Sequence, residues 1–216
     1  MNSVFIEARN LNEAFFKCCR ECLLQGYEYI IEKGSFETLK RKEFDFVTVQ
    51  ITNPGERPLA PLLPPSIVSP ATDNYIEEYL SYLMTPEKQK NELYTYGEDL
   101  AGQIEEVIRR YKKEGFENNQ LCMSVGSKDS LSLEHSQCLR IVDTRIRYGK
   151  LHFVVYFRSW DLWSGFPVNL GGLQLLKEYM ADSIGVEDGE IIAVSKGLHL
   201  YDFTWPLASA LTQVEL

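Results

Sequence analysis

The apolar residues of this chain recur with two periods. From Leu11 to Gln25 they fall at Leu11, Phe15, Cys18, Cys19, Cys22 and Leu23, a helical spacing that Gly26 ends. The same period predicts helices over Asn74–Leu83 and Asp99–Lys113. In the latter, Ile104, Val107, Ile108 and Tyr111 share a face before Gly115. A further helix is predicted over Leu170–Ile184, with Leu173, Leu176, Met180 and Ile184 in register and Gly185 as its stop. Alternation with period two predicts strands over Phe44–Ile51, Leu121–Val125 and Ile191–Tyr201. Cys138–Arg147 and Lys150–Arg158 read as a hairpin around Tyr148-Gly149. Asn53-Pro54-Gly55 marks a turn, and Pro58 to Pro70 forms a proline-rich surface connection. Helices mixed with hairpin-linked strands predict an α+β fold, one domain over residues 1–216, with helices packed on a mixed β-sheet.

Composition narrows the class. The chain has 216 residues, 44% hydrophobic and 25% charged, which suits one well-buried core and excludes disorder. A net charge of −9 argues against general nucleic-acid binding, although a few converging arginines would still hold a small anion. No apolar run approaches the roughly 20 residues that span a bilayer. Glu7 and Arg9 break any signal-peptide build, so a cytoplasmic location is expected. The five cysteines are odd in number and clustered, which does not suit a disulfide framework. Cys19-x-x-Cys22 has metal-site spacing, but no second such pair accompanies it; packed thiols on an amphipathic helix account for it, and no metal is expected.

The candidate chemistry lies between Cys138 and Tyr201. Cys138 is either a packed thiol or a nucleophile for an electron-poor carbon. Arg158 and Ser159 are either surface residues or charge-assisted donors to a phosphate. Asn169 is either a helix cap or an amide presenting a donor and an acceptor side by side, able to read one edge of a uracil ring. Asp161 and Gly165 would let the chain approach that ring. His199 and Tyr201 alternate on one strand face, where they would bind a sugar hydroxyl or form a half-buried polar face.

Together these residues change the weighting. Tyr156-Phe-Arg-Ser-Trp-Asp-Leu-Trp-Ser-Gly-Phe-Pro-Val-Asn169 resembles the nucleotide-binding signature of thymidylate synthases, with Cys138 at the family's nucleophile position. Gly189-Glu190 and His199-x-Tyr201 continue the match, and Tyr94-x-Tyr96-Gly97 with Gln103-Ile104 gives a weaker one. The resemblance implies methylation of dUMP to dTMP. Cys138 would add to the uracil ring, with Asp161 and Asn169 assisting. Arg158, Ser159, Asp161, Asn169, His199 and Tyr201 would bind the nucleotide. It also implies a reduced folate (methylenetetrahydrofolate) or related tetrahydropterin as donor, and a homodimer. A pyrimidine-nucleotide hydroxymethylase acting on dCMP or dUMP, or a nucleotide-binding relative without turnover, are the alternatives. Asparagine at 169 favours uracil over cytosine.

The chain also departs from the family pattern. Gln137 and Leu139 flank the cysteine in place of proline or alanine and histidine. Asn118-Asn119 stand where the family carries an arginine pair that reaches the partner's phosphate, which leaves a monomer open. Arg57 and Arg41 are the local substitutes for the phosphate-clamping arginine. The stretch Pro58 to Pro70 takes the place of the glutamate-bearing helix, with Tyr96 and Glu98 as further candidates and Glu98 the possible proton-transfer base. The folate-closing C-terminal segment has no counterpart, so the chain resembles the short archaeal-type branch.

Overall fold

The computed structural model describes residues 1–34, 36–90 and 92–216. Strand β1 (Ser3–Ala8) turns Ile6 and Ala8 inward and leaves Phe5 exposed. Asn10 then caps α1 (Leu11–Gln25), accepting from the Glu13 amide at 2.9 Å. Next come β2 (Tyr27–Ile30), β3 (Lys40–Glu43), β4 (Phe46–Ile51), α2 (Asp73–Met84), α3 (Gly97–Glu114) and β5 (Cys122–Ser124). The hairpin β6 (Leu139–Arg147) and β7 (Lys150–Phe157) follows, then β8 (Trp160–Asp161) and α4 (Gly165–Ile184). The chain continues through β9 (Glu187–Ser195), β10 (Leu198–Tyr201) and α5 (Trp205–Thr212).

The strands form two sheets. The larger, β1-β4-β9-β7-β6-β5, mixes parallel and antiparallel pairs, and the smaller is β2-β3-β10-β8. The β6–β7 hairpin matches the sequence reading. Tyr148 (φ 54°) and Gly149 (φ 74°) both take positive φ, the geometry of a two-residue turn whose twist suits its strands. One connected cluster of buried residues runs through the elements, from Ile6 to Ala208. Helix α4 is buried on most sides, through Leu170, Leu173, Leu176 and Met180 and also through Gln174 and Lys177. It packs closely on α2: a Cβ at Gly171 would lie 2.7 Å from Ile76 Cγ2, and one at Gly172 2.6 Å from Tyr79 Cδ1. Any larger residue at either position would push the helices apart.

Three expectations change. The predicted strand Ile191–Tyr201 is two strands in different sheets, broken at Lys196-Gly197. Gly197 passes close to Arg158 and Ser159; a Cβ there would sit 3.2 Å from the Arg158 carbonyl oxygen. The helix expected from Leu170 begins at Gly165. Pro167 falls in its first turn, where a missing N–H is no loss, so the proline starts the helix where it was read as preceding it. Cys138 and Arg158 lie one residue outside their strands, joined by a hydrogen bond from Arg158 N to the Cys138 carbonyl at 2.9 Å. Among the described residues no helix is long and apolar enough to cross a membrane.

Candidate active site

The ends of β6, β7, β8 and β10 open into a cavity of about 1210 Å³. Six of the residues read from the sequence line it: Cys138, Arg158, Ser159, Asp161, His199 and Tyr201. Arg41 from β3 and Lys33 from the preceding loop add cations, and Tyr29 and Tyr94 add aromatic walls. Two sheets therefore supply one site, because β8 and β10 lie in the smaller sheet while the hairpin belongs to the larger.

Cys138 is half-buried, and Arg158 Nη2 stands 4.0 Å from its sulfur. Burial pushes the thiol above its ordinary pKa, and the guanidinium pulls in the opposite direction. Arg158 is itself held over the loop before Cys138. Its Nε donates to the Gln137 carbonyl at 3.1 Å and its Nη2 to the Ser136 carbonyl at 2.6 Å. Neither bond uses Nη1, which leaves a cationic edge for an anionic ligand.

The cavity wall on the β10 side is a cluster of polar rings. His199 and Tyr201 sit edge to face with centroids 4.9 Å apart, both on the side of the strand that the alternation predicts. His199 Nδ1 lies 2.8 Å from the Gly197 carbonyl, which only accepts, so that nitrogen carries the proton. Its Nε2 is then a bare acceptor, buried and without a hydrogen-bond partner among the described residues. Burial, with Arg41 nearby, pushes the imidazole pKa down to about 3, so the ring is neutral at ordinary pH. An unpaired buried acceptor carries a desolvation cost that a ligand hydroxyl would remove. Arg41 Nη2 donates to the Tyr201 hydroxyl at 3.0 Å, and its guanidinium lies over the Tyr201 ring. Glu43 accepts from Tyr29 at 3.2 Å, and burial raises its pKa.

Asp161 shapes the entry to α4. Its Oδ1 accepts from the Trp163 amide at 2.9 Å and the Ser164 amide at 3.2 Å. Asn169, the seventh residue read from the sequence, is not among those lining the cavity; it lies on α4 beside Gly165, where a Cβ would come within 3.4 Å of its Oδ1. Its amide is bound on both sides: Trp160 Nε1 donates to Oδ1 at 2.8 Å, and Nδ2 donates to the Tyr79 hydroxyl at 2.7 Å. Sequence reasoning missed Tyr79. Its only signal was a tyrosine on the α2 face that also carries Ile76 and Leu83, and nothing local ties that face to Asn169.

The remaining candidates lie apart from the cavity. The Tyr96 hydroxyl accepts from the Leu139 amide at 3.2 Å, bracing the residue next to Cys138. Glu98 pairs with Lys88 at 2.7 Å near the start of α3. Arg57 forms two hydrogen bonds of 2.8 Å with Glu178 on α4, away from the lining residues. Asn119 accepts from Arg145 at 2.8 Å and belongs to a separate groove with Asp143 and His152. Of the two substitute arginines, Arg41 reaches the cavity and Arg57 does not. Among the described residues no group of three or more His, Cys, Asp and Glu could hold a metal ion.

This fold and cavity define a class: an α+β protein with a half-buried cysteine beside an arginine, in one cavity with a neutral imidazole and a tyrosine. A family model described as thymidylate synthase matches residues 81–214. Three archaeal relatives are each named "Putative thymidylate synthase". The Methanosarcina mazei protein is 30% identical over 208 residues, covering 94% of this chain and 91% of the relative. That of Methanosarcina acetivorans is 29% identical over the same length, with the same coverage. That of Methanococcoides burtonii is 30% identical over 212 residues, covering 93% of this chain and 90% of the relative. The chain belongs to the thymidylate synthase family.

Proposed function

We propose that the protein is a one-carbon transferase that methylates dUMP at ring carbon 5, using Cys138 as the covalent nucleophile. The observation that carries this reading is the shared cavity of Cys138, Arg158, Ser159, Asp161, His199 and Tyr201. Arg158 and Ser159 hold the phosphate, with Arg41 as a second cation in the same cavity. His199 Nε2 accepts the sugar hydroxyl, and Tyr201 packs beside it. The Asn169 amide reads the uracil edge. The Cys138 thiolate adds to ring carbon 6, which makes carbon 5 nucleophilic. After carbon–carbon bond formation the carbon 5 proton is lost, the bond from the new methylene carbon to its carrier breaks, and the thiolate leaves carbon 6; the methylene becomes methyl by gaining a hydride, which a reduced pterin ring would supply in being oxidised to the dihydro level.

The residues present fit a pterin-type donor. A volume of about 1210 Å³ exceeds what one nucleotide fills, and Tyr94 offers a ring face within the same cavity. When bound, a reduced folate or related tetrahydropterin supplies the one-carbon unit. Tyr94 would stack on it, and the chain around Cys138 would keep water from the activated carbon 5.

The test is covalent trapping. Protein mixed with 5-fluoro-dUMP and either methylenetetrahydrofolate or a tetrahydropterin donor should gain the mass of a ternary adduct. The adduct should be absent in Cys138→Ser. A wild-type protein that forms no adduct with either donor, or a serine variant that still forms it, removes the assignment.

A further inference from the structure

We propose that the indole N–H of Trp160 fixes the Asn169 amide in one orientation and so sets discrimination between uracil and cytosine nucleotides. This rests on the reading that Asn169 faces the base. An asparagine amide presents an acceptor and a donor of nearly equal size, and rotation by half a turn exchanges them. Uracil offers N3–H as donor beside O4 as acceptor. Cytosine offers N3 as acceptor beside an amino donor. A freely rotating amide would pair with either base in the same ring pose. Discrimination therefore requires something that stops the rotation.

Tyr79 cannot do this, because its hydroxyl both donates and accepts and tolerates either amide end. Trp160 can, because indole nitrogen only donates. With Trp160 Nε1 2.8 Å from Oδ1, rotating the amide would set two donors against each other in a partly buried position. Leaving a buried donor unpaired is costly. The indole is also unable to turn away. It stacks on Phe157 at 4.0 Å between centroids and 6° between planes, with Phe166 at 4.7 Å on its flank, and it is 3% exposed. Its backbone is pinned by a hydrogen bond from Trp160 N to the Gly197 carbonyl at 2.8 Å. The fixed side of the amide leaves one Oδ1 lone pair and one Nδ2 hydrogen for the base, in an order the protein does not exchange.

The experiment measures the ratio of dCMP to dUMP dissociation constants by calorimetry on the full chain, with thermal unfolding followed in parallel. Trp160→Phe keeps the stacked ring and removes the donor, and its ratio should collapse by about tenfold or more, largely through tighter dCMP binding. Tyr79→Phe should hold the wild-type ratio within about threefold, because the indole still sets the orientation. Benzothienylalanine at position 160 replaces N–H by sulfur at nearly equal volume; it keeps the test decisive should phenylalanine loosen the fold. An unchanged ratio in the phenylalanine or the benzothienylalanine protein overturns the proposal. Asn169→Ala separates this from failure of the functional reading. A wild type that does not discriminate, or an alanine variant that keeps the wild-type ratio, shows that Asn169 does not read the base, and the proposal falls with that reading.

Discussion

The Arg158 guanidinium stands 4.0 Å from the Cys138 sulfur, while the backbones of the same two residues are joined at 2.9 Å. The end of the hairpin thus places the Arg158 backbone, and the Ser136 and Gln137 carbonyls hold its guanidinium. Because burial raises the thiol pKa and Arg158 opposes this, Arg158→Gln should move thiol reactivity to higher pH. Iodoacetamide alkylation rates across pH, followed by intact mass, measure the midpoint. A Cys122→Ser background removes the exposed competing thiol. A midpoint unmoved by Arg158→Gln contradicts the electrostatic role.

His199 should make folding acid-sensitive. Its pKa in the folded protein is about 3, against 6.5 in an open chain, so the unfolded state binds the extra proton between those values. The contribution is complete above pH 6.5 and is lost as pH falls toward 3. Between about pH 7 and pH 5, wild type should lose roughly 2 kcal/mol more than His199→Gln in urea unfolding. Equal losses in both proteins would mean that the imidazole titrates normally.

Arg57 offers a control at a distance from the cavity. Its ion pair with Glu178 is half exposed, with Arg57 at 50% and Glu178 at 33% side-chain exposure. Arg57→Ala should cost no more than about 1 kcal/mol in stability and leave dUMP affinity unchanged. A large fall in affinity would return Arg57 to the phosphate site.

Gly172→Ala tests whether α2 supports the Asn169 amide that is proposed to read the base. The added methyl would lie 2.6 Å from Tyr79 Cδ1, so the tyrosine or the helix must shift. A stability loss of about 1–3 kcal/mol is expected, with weakened dUMP binding as Tyr79 leaves the Asn169 amide. Destabilisation without any change in affinity would separate Tyr79 from the nucleotide site.

The sequence exposed the strongly periodic parts of the fold and the polar residues carried on them. The hairpin from Leu139 to Phe157 and the helix cores of α1, α3 and α4 follow from spacing alone. β2 and β3 did not, because Lys40–Glu43 is wholly charged and Tyr27–Ile30 is largely exposed, so neither alternates. Those strands carry Tyr29 and Arg41 to the cavity, with Glu43 behind them; Arg41 was read only as a substitute arginine, and Tyr29 and Glu43 were not read. Asn169 was recognised by its place in the motif, yet the partners that orient it, Trp160 and Tyr79, are long-range or were read only as a variable position.

The Gly197 peptide oxygen accepts both from Trp160 N and from His199 Nδ1, each at 2.8 Å. One carbonyl, at the two-residue step between the sheets, is therefore the common reference point for the Trp160 backbone and the His199 ring. Displacing it moves both at once. Under the proposed function, base choice and sugar choice would be mechanically geared together: a lineage that drifts at Gly197 would change both preferences, while one that drifts at Asn169 would change the first alone.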